Sequence, residues 1–283
     1  MFKLSFLFLF VLSVSCQTGN LKVAADLPNT LKEVSGTEVT KHSNLIWMLN
    51  DGGNKARLYG LNEKGKIIKE VKIQAKNHDW EDLTADAKGN VYIGDFGNNA
   101  NKRENLFILM ISKDSLKSNK KIQIERISFR FENQHKYPPK KKKMHFDCEA
   151  FFHFNDSLYL FTKSRVKGDF GKTNMYKLPA KTGDHVAQLV DSFSTCNESK
   201  CWITSADISS DGKKMVLLTP KSAWVFTNFE SDNFFKGDVS EISFDYDSQK
   251  EGICFKDNNT LLITDEKTHL QGGNLYEIKI SKP

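Results

Sequence analysis

The chain has 283 residues, enough for one large domain or two small ones. With 39% apolar, 11% aromatic and 27% charged residues, it is too apolar for a disordered chain and too mixed for a collagen or a coiled coil. Forty-one Lys and Arg against 35 Asp and Glu leave a formal charge of +6, which by itself does not point to nucleic acid.

Residues 1–15 read as an export signal: Lys3 is the short basic start, and Leu4 to Val14 form the apolar run. That run is shorter than the ~20 apolar residues of a membrane-spanning helix. It ends in Ser13-Val14-Ser15-Cys16, which resembles a bacterial lipobox with Cys16 as the lipidated first residue of the mature protein. The alternative is a signal peptide cleaved nearby with an incidental cysteine. Residues 16–20 are then a lipidated N-terminus and linker, and 21–283 a single domain. The expected location is periplasmic, outer-membrane or cell-surface, as a bacterial lipoprotein that touches the membrane only through its anchor. Of the other cysteines, Cys196 and Cys201 close a short loop suited to a disulfide in an oxidising compartment. Cys148 and Cys254 lie in apolar runs and read as buried thiols.

Beyond residue 20 the pattern is strand-like, with short Val/Ile/Leu/Phe/Tyr runs between turn signals such as Asp51-Gly52-Gly53, Lys88-Gly89-Asn90 and Asp211-Gly212. The runs recur as a unit. Strands begin at the anchors Ser35, Glu81, Glu149, Asp207 and Glu251, and second apolar runs lead to Asp51, Asp95, Lys163, Pro220 and Asp265, at offsets of 16, 14, 14, 13 and 14. Third strands carry Tyr59, Phe107, Tyr176, Trp224 and Tyr276. Such units read as blades of an all-β propeller. The count is five, with six as the alternative because the second unit is long. The last unit lacks an outer strand, so Leu21 to Leu27 should pair with Tyr276 to Ile280 and close the ring.

In a propeller the first and second strands of each blade meet at one face, so the polar residues there should ring one channel mouth. The expected acidic set is Glu33, Asp79, Glu81, Asp95, Asp147, Glu149, Asp207, Glu251 and Asp265. Carboxylates crowded together need a cation, a proton or an Arg. Asp79, Glu81 and Asp95 with Asn98 offer the oxygen ligands that Ca²⁺ takes, with neutralisation by Arg103 as the alternative. Lys140, Lys141, Lys142 and Lys143, with Lys163 and Arg103, form a candidate anion site beside it; a solvated loop is the other reading of the lysine run. His78 and His145 lie beside acidic pairs and could act as acid or base, or only as caps.

The succession Glu33-x-Ser35-Gly36, Trp47 to Asp51-Gly52-Gly53, Asp79-Trp80-Glu81-Asp82, Gly94-Asp95-Phe96-Gly97-Asn98-Asn99 with Arg103, Asp147-x-Glu149-Ala150, Thr162-Lys163 and Ile208 to Gly212 resembles a family of secreted bacterial β-propellers. It is similar to those labelled SdiA-regulated or phytase-esterase-like. The resemblance implies the propeller fold over nearly all of the mature chain, and the related β-propeller phytases hold calcium at an acidic mouth. The chain departs from the pattern at Asn98-Asn99, where Asp-Asn is usual, and at Gly53, where Ser is expected. No nucleophile elbow, zinc-helix motif or phosphate-cradling glycine loop is present. The expected function is an exported, lipid-anchored propeller that binds a small molecule or a protein, not nucleic acid, at its acidic mouth. The alternative is a calcium-dependent hydrolase of phosphoesters or lactones.

Overall fold

The computed structural model describes residues 18–41, 43–118, 121–269 and 271–280; the export signal and Cys16 lie outside them. The fold is an all-β propeller. Among the described residues its strands are β1 (Lys22–Asp26), β2 (Val34–Val39), β3 (Ile46–Asn50), β4 (Arg57–Leu61), β5 (Ile67–Lys72), β6 (Trp80–Ala85), β7 (Val91–Asp95), β8 (Leu106–Ile111), β9 (Glu125–Phe131) and β10 (Asp147–Phe154). They continue as β11 (Ser157–Lys163), β12 (Lys172–Pro179), β13 (Gly183–Ser194), β14 (Ser205–Ile208), β15 (Lys214–Leu218), β16 (Ser222–Thr227), β17 (Asp238–Ser243), β18 (Lys250–Asp257), β19 (Thr260–Asp265) and β20 (Asn274–Lys279).

These strands form antiparallel units of four: β2–β5, β6–β9, β10–β13, β14–β17, and β18–β20 completed by β1. The second and third units merge into an eight-stranded sheet because β9 and β13 pair in parallel, from Ile127↔Gly183 to Phe131↔Ala187. The first strands β2, β6, β10, β14 and β18 stand side by side, and β18 returns to β2. Closure uses the N-terminal strand: β1 pairs with β20 through Lys22↔Glu277, Val23↔Tyr276, Ala25↔Leu275 and Asp26↔Asn274.

Strand alternation explains where the core sits. Side chains leave opposite faces of a strand in turn, so each blade packs against both neighbours. Val91 and Ile93 of β7 join Trp47 and Leu49 of the preceding unit, while Tyr92 joins Leu158 and Leu160 of the next. In β11, Leu158 and Leu160 face back, and Tyr159 and Phe161 face forward onto Met215 and Leu217. Burial on both faces removes the polar half of the pattern, which is why these second strands read as continuous apolar runs.

The first strands line the channel with one edge unpaired, and side chains from the preceding blade serve that edge. Glu38 accepts from Ala85 N (3.2 Å), Asp82 from Phe151 N (3.3 Å), the Ser205 hydroxyl from Ile253 N (3.1 Å) and Asp207 from Phe255 N (2.7 Å). Buried backbone donors are thereby satisfied around the ring.

Candidate functional site

The second strands return to the face from which the first strands enter, so the loops after β3, β7, β11, β15 and β19 open at one mouth. Four first strands carry a bulge at the same level. The register shifts between Val34 and Gly36, Trp80 and Asp82, Cys148 and Ala150, and Lys250 and Gly252, leaving Ser35, Glu81, Glu149 and Glu251 as the extra residues. A bulge re-aims its side chain, and here it delivers three glutamates to the mouth.

Asp51, from the loop after β3, Asp79, just before β6, and Glu81 bring their carboxylate oxygens within 4.8 Å of one another. Among the described residues neither Asp79 nor Glu81 has a hydrogen-bond or ion-pair partner for its carboxylate, and the Asp51 carboxylate accepts only from the Gly52 N–H. Burial, with Asp79 adding repulsion, pushes Asp51 up to about 6. Glu81 is raised well above the carboxylate range by burial, then by Glu149, Asp51 and Asp79. Asp79 is raised by burial, against the pull of Arg103. Gly97 packs against two of the three: a Cβ there would overlap Glu81 Oε1 and press on the Asp79 carboxylate. An all-oxygen set cradled by a loop suits Ca²⁺ or Mg²⁺, and carboxylates without a cation partner supply the negative charge such an ion needs. The donor set therefore fits a hard divalent cation.

Beside it stands a charge-balanced group. Lys163 Nζ lies 3.1 Å from Glu149, and Arg165 Nε lies 2.6 Å from Asp147 with its Nη2 3.3 Å from Glu149. Burial lowers the pKa of Lys163, but Glu149, Glu251 and Asp147 outweigh it and hold the ammonium charged. Burial and the neighbouring Glu149 push Asp147 up to about 8 even with Arg165 at hand. Burial likewise raises Glu251 and Glu266 to about 7. Trp202 flanks this group, with Lys163 Nζ 4.8 Å and the Arg165 guanidinium carbon 5.7 Å from its ring centroid. Trp202 follows the disulfide Cys196–Cys201, which the structure contains.

Several expected site residues do other work. Asp95 is fully engaged by Arg103 (2.8 Å) and His78 (2.8 Å), so it is not a free ligand beside Glu81. Asn98 is tied to backbone: its Oδ1 accepts from Arg103 N (2.9 Å) and its amide reaches Phe146 O (3.4 Å), so it too leaves the proposed metal set. Arg103 also donates to Gly97 O and Asn105 O, so its Nη1 and Nη2 are held by groups within the chain. Lys163 is likewise held internally by Glu149. Asp265 is buried in its own blade, accepting from Tyr276 OH (2.8 Å) and Asn274 N (2.9 Å). Glu33 sits at the rim with Lys32 (3.1 Å) and Asn54 (2.6 Å). Lys141–Lys143 form an exposed 3₁₀ turn.

Asp207 is the clearest correction. β14 has no bulge, so the counterpart of Glu81 there is Thr204, and Asp207 falls at the level of Glu38. With Glu38 it lines a cavity of about 640 Å³ at the opposite entrance, among the turns that join first and second strands. Burial raises Asp207 to about 7, and burial plus Asp207 raises Glu38 well above its ordinary value. Asp51, Arg165, Glu266 and Trp202 were absent from the expected set. Asp51 ends the second run of the first unit, a position the repeat did mark; Trp202 and Glu266 had no sequence signal.

No protein-family model matches this chain, and no curated protein is similar to it in sequence. Solved structures share the fold. A putative gluconolactonase is 14% identical with a TM-score of 0.51, the match covering 89% of this chain and 76% of that one. A gluconolactonase from Xanthomonas campestris is 10% identical with a TM-score of 0.51, over 94% of this chain and 92% of that one. A virginiamycin B lyase from Staphylococcus aureus is 12% identical with a TM-score of 0.43, over 90% and 69% respectively. At these identities the likeness is one of fold: this chain is a β-propeller.

Proposed function

We propose that the protein is a ligand-binding propeller whose mouth holds a divalent cation, most fittingly Ca²⁺, between Asp51, Asp79 and Glu81. The supporting observation is the convergence of these three carboxylates, two of them without a partner among the described residues and packed against Gly97. The cation would present open coordination positions to an oxygen-rich small molecule or to a carboxylate of a protein partner. In keeping with the export signal and the Cys16 acceptor read from the sequence, we place the protein outside the cytoplasm on a lipid anchor, as in the secreted propellers it resembles. The Cys196–Cys201 disulfide supports an oxidising compartment.

A second reading is a cation-dependent hydrolase of lactones or phosphoesters. Glu251 and Glu266, each raised to about 7, stand beside the trio with pKa values suited to proton transfer near neutrality. The fold shared with two gluconolactonases suggests lactones as the first substrates to assay.

Calcium-dependent melting tests the cation site. At about 10 mM calcium, roughly tenfold above a millimolar Kd, linkage contributes ~1.4 kcal/mol and should raise Tm by roughly 3–6 °C. Glu81→Gln should abolish the rise, whereas Glu198→Gln, on the exposed disulfide loop, should preserve it. A wild-type melting curve indifferent to calcium would leave protons as the neutralising partners and remove the cation from the account.

A further inference from the structure

The chain's positive charge is concentrated on one sector. The loops spanning 100–105, 132–149 and 163–172 carry eleven Lys and Arg against five Asp and Glu, an excess equal to the whole chain's +6. The structure ties these loops together on the mouth face. Gln134 Nε2 donates to Asn101 O (3.1 Å), Phe146 N to Asn101 Oδ1 (2.9 Å), Arg165 N to Met144 O (2.9 Å), and His145 Nδ1 meets the Ser164 hydroxyl at 3.0 Å. Among the described residues, none of Lys102, Lys136, Lys167 or the lysines 140–143 forms an ion pair, and all seven are exposed. Some surface lysines outside these loops do find acids, as in Lys177–Asp232, Lys221–Glu198 and Lys256–Glu277. Partly exposed rings of Tyr137, Phe170 and Trp202 lie on the same loops or against them.

We propose that this sector is a docking surface for a linear acidic polysaccharide whose repeating carboxylates sit over the unpaired lysines while its sugar rings lie against the aromatic side chains. A row of unneutralised ammonium groups on hydrogen-bonded loops gives a polyanion several contacts without first ordering the loops. Each contact is weak alone, and the sum is strongly salt-dependent. A carbohydrate fits better than a single-stranded nucleic acid, because the export signal read from the sequence takes the chain away from nucleic acid. The disulfide on the adjoining loop also belongs to a compartment without nucleic acid. The surface lies outside the Asp51–Asp79–Glu81 trio and does not depend on it.

The test is binding of polygalacturonate to the whole mature protein in the presence of chelator, at low and at raised salt, with neutral dextran and oligothymidylate as comparisons. The variant is Lys140→Ala/Lys141→Ala/Lys142→Ala/Lys143→Ala, confined to an exposed turn that the core does not need. Wild type should bind polygalacturonate but not dextran, more weakly as salt rises. The variant should lose about tenfold in affinity, while its calcium-induced melting shift stays that of wild type. Absence of polygalacturonate binding, equal binding by the variant, or tighter binding of oligothymidylate would each overturn the proposal.

Discussion

Replacing Arg165 by Met should lower stability at pH 9 by about 3–5 kcal/mol, the range for breaking one partner out of a buried charged group. The side chain holds Asp147, which is wholly buried, and Glu149, 3% exposed. Met fills most of the same space, so the loss reports the stranded carboxylates rather than a cavity. Asp147 is already pushed up to about 8, so below that pH it accepts a proton and the stranded charge disappears. The cost of Arg165→Met should therefore shrink as pH falls from 9 to 6, whereas a packing defect would be insensitive to pH. Denaturant unfolding at the two pH values makes the distinction. In thermal terms the expected loss at high pH is roughly 10 °C for a domain of this size.

Removing residues 18–27 should destabilise the domain by a similar or larger amount. β1 and the residues flanking it bury Leu21 (3% exposed), Ala25 and Leu27 (5%), and β1 supplies the outer strand for β20. Two buried leucines alone contribute roughly 3–6 kcal/mol, and the deletion also frees the edge of β20 for pairing with another chain. The shortened protein should melt roughly 10–20 °C lower and associate on concentration. A melting temperature within a degree or two of wild type would mean that the ring does not rely on its N-terminal strand.

The propeller was legible in the sequence because its repeat is a spacing rather than a composition. The aromatic residues chosen to mark third strands, Tyr59, Phe107, Tyr176, Trp224 and Tyr276, all lie in β4, β8, β12, β16 and β20. The N-terminal closing strand followed from a blade one strand short. The anchors Ser35, Glu81, Glu149 and Glu251 turned out to be bulge residues, which is why their positions repeat so regularly. The same regularity misplaced Asp207, since the fourth unit lacks the bulge residue that the other four share and its nearest acid lies three residues further along the chain than Thr204. Counting within one hairpin also put Asp95 beside Glu81. Strand pairing instead sets Asp95 opposite Trp80, where Arg103 folds back onto it. Glu81 instead meets Asp51, from another blade, as well as Asp79, and contacts between blades depend on how sheets are stacked around the axis, which spacing along one chain does not encode. Trp202 reaches the mouth from a disulfide loop for the same reason.

Calorimetric titration of calcium into chelated protein, run in buffers of different ionisation enthalpy, tests the cation site most directly. In the free site burial pushes Asp51 up to about 6 and lifts Glu81 well above the ordinary carboxylate range, so the site holds protons that an incoming cation must displace. Binding should release protons, and affinity should rise as pH goes from 5 to 8. The account predicts one calcium per chain with proton release near pH 6, and loss of that binding in both Asp51→Asn and Glu81→Gln. Saturable binding that survives both substitutions, or no binding at millimolar calcium on the order of weak extracellular sites, would contradict it.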